Sequence, residues 1–194
     1  MSDAALNTLI EDFWQWRLRD APEFASTVGI NDYDDKLEDL SVAAYEQRLE
    51  KCQTFSKKLA SIDASALAAE GKMNHQLLKA NLDSFIDNYK WRSYSTYNCI
   101  NFLENVPLNF SSFIIGAMKF DTAVDFEKYI CRLRAISKQQ EQQVELMRQA
   151  VKAETSCHAV STEGAIEQLQ GLLKAPIDSN DLMKPFKEKL PLIG

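Results

Sequence analysis

The sequence predicts an all-α protein, and three observations carry that prediction. Only 6 Gly and 5 Pro occur in 194 residues. Apolar residues recur at three-to-four spacing over long stretches, and the period-two alternation of strands does not appear. Helix is therefore expected over more than about 60% of the chain, as long antiparallel helices interrupted by one extended apolar connection.

The first helix is expected over residues 3–20, where Leu6, Leu9, Ile10, Phe13, Trp16 and Leu18 make a broad apolar face and Asp3 is placed to cap it. Asp20-Ala21-Pro22 reads as a cap followed by a first-turn proline, opening a short helix that Gly29 stops. An Asp-rich loop over 30–40 leads to Ser41, a good N-cap, and Tyr45, Leu49, Cys52, Phe55, Leu59 and Ile62 then keep helical spacing until Asp63 and Ser65 interrupt it. The next helix, over 66–89, uses Met73, Leu77, Leu78, Leu82, Phe85, Ile86 and Tyr89, so the two long helices form an antiparallel hairpin.

Residues 91–120 lose the pattern. They hold Trp91, Tyr94, Tyr97, Phe102, Leu103, Phe110, Phe113, Ile114, Ile115 and Phe120, with Pro107 and Gly116 between them, and such a connection is too apolar to be a free linker. A helix restarting at Asp121 or Thr122 carries Phe126, Tyr129, Ile130, Leu133, Ile136, Val144 and Met147 to about Ala153, roughly 45 Å at the usual rise. Ser161 is expected to open a last amphipathic helix with Ile166, Leu169, Leu172 and Leu173, after which Pro176, Pro185 and Pro191 end regular structure.

Hydrophobic residues at 45% and charged residues at 26% suit a folded globular chain. The balance of 22 basic against 28 acidic residues, formal charge −6, includes no dense Lys/Arg block, which argues against nucleic-acid binding. Met1 to Leu6 have no basic n-region, and no apolar run approaches membrane-span length, so the expectation is a cytoplasmic chain that does not span a membrane. Cys52, Cys99, Cys131 and Cys157 form no C-x-x-C pair and read as reduced thiols. The Asn109-Phe110-Ser111 sequon occurs at chance frequency and is a weak pointer to secretion.

No catalytic or metal constellation is complete. His75 and His158 are the only histidines and neither has a second histidine at helical spacing; His75, beside Asn74 and Gln76, reads as a solvated helix residue rather than a ligand. Cys157 and His158 could imitate a nucleophile and base only by adjacency, and adjacent side chains usually point apart. Asp32, Asp34, Asp35, Glu38 and Asp39 lack the glycine and terminal glutamate of a calcium loop and read as a solvated acidic loop. Trp14 and Trp16 with Arg17 and Arg19 could stack a ligand, but core packing with arginines at the rim is the favoured reading. No catalytic, cofactor-binding or metal-ligating residue is assigned, and the chain is expected to bind no stoichiometric zinc and to cleave no peptide.

The pattern F-W-x-W-R-L-R-D-x-P-E-F-A over 13–25, then G-I-N-D-Y-D-D-K-L-E-D-L-S over 29–41 and Y-E-Q-R from Tyr45, resembles the opening of the large helical proteins catalogued as domain-of-unknown-function family 885. Asn101-Phe102-Leu103-Glu104, Tyr129 to Ile136, and Met147-Arg148 agree with it. Members of that family are similar to zinc metallopeptidases of the His-Glu-x-x-His type, whose signature lies in a C-terminal half. The resemblance implies that residues 1–194 are one non-catalytic, helical N-terminal region of such a protein, a scaffold and one wall of a substrate cleft. Zinc would belong to a full-length member, and the cover for the 91–120 connection would come from the C-terminal half or from a protein partner, leaving an apolar patch around that connection in this chain. The alternative is a stand-alone helical interaction module, a short isoform or truncated paralogue. Around 154–160 the chain departs from the family, where a glycine-containing turn and a proline are usual.

Overall fold

The computed structural model describes residues 2–100, 114–155 and 157–193, and it is all-α: 76% helical, with no strand among those residues. Among the described residues the α-helices include, in order, α1 Ser2–Asp20, α2 Pro22–Thr27, α3 Val42–Ala60, α4 Ala69–Lys90, α5 Ala123–Lys152, α6 Ala159–Thr162 and α7 Ala165–Lys174, with a further helical turn at 114–117. No helix among the described residues is long and apolar enough to cross a membrane.

Local chemistry sets most of the boundaries. The Ser41 hydroxyl accepts the Ala44 N–H at 3.2 Å and starts α3. Thr122 and Asp125 form a reciprocal capping box at the start of α5. Asp3 sits in the first turn of α1 instead of capping it; its carboxylate accepts the Ala68 N–H at 3.4 Å, and Gly71 of α4 leaves room for that approach, since a Cβ there would lie 2.2 Å from Asp3 Oδ1.

The hairpin of α3 and α4 is the most extensive helix pair, and α1 lies along it. Leu6 and Leu9 of α1, Cys52, Phe55 and Leu59 of α3, and Leu78 and Leu82 of α4 are buried together. Each such side chain contributes about 2 kcal/mol by leaving water. A second core gathers around the start of α5, where Ile114, Met118, Phe120, Phe126 and Tyr129 are buried against the partly buried Leu133 and Phe186. A third, smaller one joins Tyr97 to Leu146 and Ala150 further along α5.

Several expectations need correction. Ser161 does not open the last long helix: it lies inside the single-turn α6, and α7 starts after Gly164, whose φ of 80° reverses the chain. The prolines do not end regular structure either. Short helical turns continue to Leu192, because proline tolerates a first helical turn, and Pro185 is buried at the start of one of them. In the apolar connection Tyr97, Ile114, Met118 and Phe120 are buried within the chain, while Trp91 and Tyr94 remain 63% and 66% exposed with ring centroids 6.1 Å apart. Phe102, Leu103, Phe110, Phe113 and the Asn109 sequon lie outside the described residues, as does the Asn101 to Glu104 motif.

Two helix ends close with the same hydrogen bonds but with different residues in the left-handed position. At the end of α2 the Ile30 N–H returns to the Ala25 carbonyl and the Gly29 N–H to Ser26, with Gly29 at φ 83°. That is a Schellman closure, and glycine adopts its left-handed residue without penalty. The end of α5 repeats the pattern, Thr155 N–H to Ala150 and Glu154 N–H to Val151, but the left-handed residue is Glu154 at φ 56°. A glutamate there carries the Cβ–carbonyl crowding that Gly29 escapes. Replacing Glu154 by glycine is expected to stabilise the fold by about 1 kcal/mol, measured as a shift of the urea midpoint; an unchanged or lower midpoint would contradict this account of the turn.

Candidate functional site

The acidic loop is the first place where the sequence reading and the structure part. It is not a solvated run of charges, because Asp34 is 2% exposed and faces Arg132 of α5, which is fully buried. The Arg132 side chain reaches into the loop from a residue 98 positions away. Its Nε donates to the Lys36 carbonyl at 2.8 Å, and its Nη2 donates to Ser26 Oγ at 2.7 Å and to the Pro22 carbonyl at 3.1 Å. The same Nη2 lies 3.5 Å from Asp34 Oδ1. Ser26 in turn donates to Asp34 Oδ1 at 2.5 Å, and Asn31 Nδ2 donates to Asp34 Oδ2 at 2.9 Å. One guanidinium thus holds α2 and both limbs of the loop.

Arg48 of α3 does the same from the other side. Its Nε donates to Asp20 Oδ2 at 2.7 Å at the end of α1, its Nη2 donates to the Asp39 carbonyl at 2.7 Å, and Glu38 Oε1 stands 3.3 Å away. Further along α5, Gln139 Nε2 donates to Glu23 Oε1 at 2.9 Å and to the Glu38 carbonyl at 3.1 Å. Gln142 Nε2 donates to Asp39 Oδ1 at 2.9 Å, while Gln142 Oε1 accepts the Leu40 N–H at 3.0 Å. Lys128 Nζ donates to the Asn31 carbonyl at 2.8 Å.

The charges in this network perturb one another. Burial pushes the Arg132 guanidinium down from its ordinary value, with Asp34, Glu23 and Asp35 pulling it back up. For Arg48 burial works in the same direction, but Glu38 and Asp20 outweigh it and the group is raised. Glu38 is pushed up to about 7, by burial first; Arg48 opposes and Glu23 adds to the rise. The 3.3 Å ion pair does not reverse this, because Arg48 is shared with the closer carboxylate of Asp20 and Glu23 brings like charge.

The remaining candidates fall at separate places. His75 is half-buried, not solvated, with Nε2 3.3 Å from the Leu59 carbonyl, and ties α4 to the end of α3. His158 is exposed and its Nδ1 accepts the Val160 N–H at 3.3 Å, capping α6. No hydrogen bond among the described residues joins it to the half-buried Cys157. All four cysteines are free thiols, and burial pushes Cys52 up to about 11. Trp16 packs on Phe55 with centroids 5.6 Å apart, whereas Trp14 sits at the rim, edge-on to Phe24, with the Arg17 guanidinium 5.2 Å from the Phe24 centroid. Among the described residues, no group of three or more His, Cys, Asp or Glu could hold a metal ion, so they do not fit the zinc site that the family resemblance implies.

One exposed surface stands apart from this network. On α7, Ile166 and Leu173 are 66% and 86% exposed, and Ile177 follows at 79%. Ile166 and Leu173 are seven residues apart and therefore share one side of the helix. Glu163, Glu167 and Asp178 flank them, all exposed.

A family model described as bacterial protein of unknown function (DUF885) matches residues 22–191. No curated protein matches the chain.

Two outcomes follow from the buried network. Asp34→Ala leaves Arg132 buried without its carboxylate and is expected to cost about 3 to 5 kcal/mol, whereas Asp32→Ala on the exposed side of the loop stays within about 0.5 kcal/mol; equal effects in chemical denaturation would restore the solvated-loop reading. For Glu38, a carboxyl raised from 4.5 to about 7 binds more protons folded than unfolded between those values. Its stability contribution is complete below pH 4.5 and is lost as pH rises through 7. Thermal unfolding from pH 5 to 8 should show wild type falling relative to Glu38→Gln, and parallel curves would refute the raised value.

Proposed function

The chain belongs to the DUF885 family of bacterial proteins of unknown function, and from this premise we propose that it is a non-catalytic helical scaffold that docks a protein partner within a zinc metallopeptidase-like system. The metallopeptidase connection rests on the family resemblance of residues 13–45 and 129–136. The docking role rests on one observation, the unpartnered apolar row of α7 and its continuation at Ile177. A row of this kind on an otherwise charged surface marks an interaction site. Its flanks, Glu163, Glu167 and Asp178, favour an apolar partner surface with basic residues beside it.

The buried arginine network supports the same reading from the other direction. A docking face is useful when the body behind it is fixed, and α5 is fixed to the first half of the chain by Arg132, Gln139 and Gln142. Phe126 and Tyr129 of α5 pack on Phe186 at 5.7 and 5.6 Å, and the Tyr129 hydroxyl donates to the Leu182 carbonyl at 2.9 Å, so the C-terminal turns share that frame.

The test is the double variant Ile166→Glu, Leu173→Glu in the full chain. Thermal stability is expected to stay within about 0.5 kcal/mol of wild type, because neither side chain is buried, while binding of a hydrophobic dye falls. Undiminished dye binding, or a chain that unfolds, would show that this row is not the docking face.

A further inference from the structure

A cleft of about 210 Å³ opens between α1 and α4, bordering the Arg48 end of the arginine network through Arg17. Its α1 wall carries Phe13, Trp16 and Arg17; its α4 wall carries Ser84, Phe85 and Asn88, with Cys52 of α3 also lining it. The spacing on each helix brings these groups to one side, Phe13 to Trp16 and Arg17 by three and four residues, Ser84 to Asn88 by four.

The lining is divided. Phe13, Trp16 and Phe85 are all only half-buried, although they pack against the first core. Phe13 and Trp16 lie 5.7 Å apart, and each also touches the ring of Phe55. These rings offer flat apolar surface. The polar side is different: the Arg17 guanidinium stands 3.9 Å from Asp20, but Asp20 gives its close contact, 2.7 Å, to Arg48. Arg17 therefore shares Asp20 with Arg48, lies over the Phe24 ring at 5.2 Å and is the cation among the cleft's lining residues, and the Ser84 and Asn88 side chains opposite make no hydrogen bond among the described residues.

We infer that this cleft binds a small planar aromatic anion, one ring carrying a carboxylate, with the ring against Trp16, Phe13 and Phe85 and the carboxylate at Arg17. Size selects one ring: a dry apolar cavity of roughly 150 Å³ is enough for benzene, so 210 Å³ takes a ring with a carboxylate. It is below the roughly 300 Å³ at which larger ligands begin to fit. Charge selects an anion, because a cation on these rings would face Arg17. Ser84 and Asn88 supply hydroxyl and amide donors suited to the second carboxylate oxygen. This site does not depend on the scaffold reading.

The experiment uses the full chain with benzoate as probe and benzyl alcohol as its neutral counterpart, followed by the indole N–H signals of the three tryptophans in NMR. Benzoate is expected to shift the Trp16 signal saturably, with a Kd below roughly 1 mM for a ligand of this size, and to leave exposed Trp91 in place. Arg17→Gln should weaken benzoate about tenfold, as loss of a charge-assisted contact does, without altering benzyl alcohol. Ser84→Phe, an exposed helix position that fills the mouth, should abolish binding of both. A Trp16 signal that does not saturate, equal affinity for the two probes, or indifference to Arg17→Gln would each overturn the assignment.

Discussion

Asp34 and Arg132 are 98 residues apart in sequence and meet where neither touches water, and the placement of the long helix depends on their meeting. Among the described residues, the backbone of α5 approaches no other helix closely over an extended length. Its polar attachment to the first half of the chain runs through the loop between α2 and α3, held by Arg132, Gln139, Gln142 and Lys128 from one side and by Arg48 from the other, beside the apolar cluster that joins Leu146 and Ala150 to Tyr97, Val42 and Tyr45. Apolar packing holds α1, α3 and α4 together, but apolar packing is tolerant of sliding and rotation. A forked guanidinium that must satisfy a carboxylate, a hydroxyl and two carbonyls at once has one acceptable position. The polar contacts therefore set the register of α5 against the loop, and its two apolar clusters hold it there.

Such an arrangement is stable only as a whole. Desolvating a guanidinium and a carboxylate costs several kcal/mol per ion, and the mutual attraction recovers this only when the remaining donors find acceptors. Around Arg132, Nε and Nη2 find the Lys36 and Pro22 carbonyls and Ser26, which fixes these loop residues in detail, while Nη1 is buried without a hydrogen-bond partner among the described residues. Glu38 shows the limit of the device. With Arg48 shared with Asp20 and Glu23 close by, one carboxyl too many sits in the network, and burial favours its neutral form.

The helices were legible because their causes are local. Ser41 as a cap, Gly29 as a stop, Thr122 at the start of α5 and the three-to-four rows of α3 and α4 each act within a turn or two, and periodicity reads them directly. The network was hidden because its cause is long-range. Five acidic residues within eight positions look solvated when counted, and nothing near Asp34 in sequence indicates a cation about a hundred residues later. A signal did exist on α5. Its buried row runs Phe126, Tyr129, Arg132, Gln139, Gln143, Leu146 and Ala150 at steps of three, four and seven, so Arg132 and the two glutamines occupy core positions. Reading only apolar residues put Val144 on that face, yet Val144 is 44% exposed and Gln143 beside it is buried. A polar residue in phase with a core row, rather than out of phase with it, was the pointer to a buried partner.

The same division between what is locked and what is open bears on function. Every residue of the arginine network is engaged in holding elements together, and altering one would disturb the fold before it changed any chemistry. Among the described residues, the α1–α4 cleft and the α7 row share no residue with that network, and only Arg17 of the cleft touches it, through Asp20, which Arg48 holds more closely. This sharing links the two levels. Because the Asp20 carboxylate gives its closer contact to the buried Arg48, the half-buried Arg17 beside three aromatic rings has to share its counter-charge. A structural ion pair at the end of α1 thereby sets the sign of the cleft next to it, and the fold's polar seam, rather than any catalytic group, decides what kind of ligand that cleft can receive.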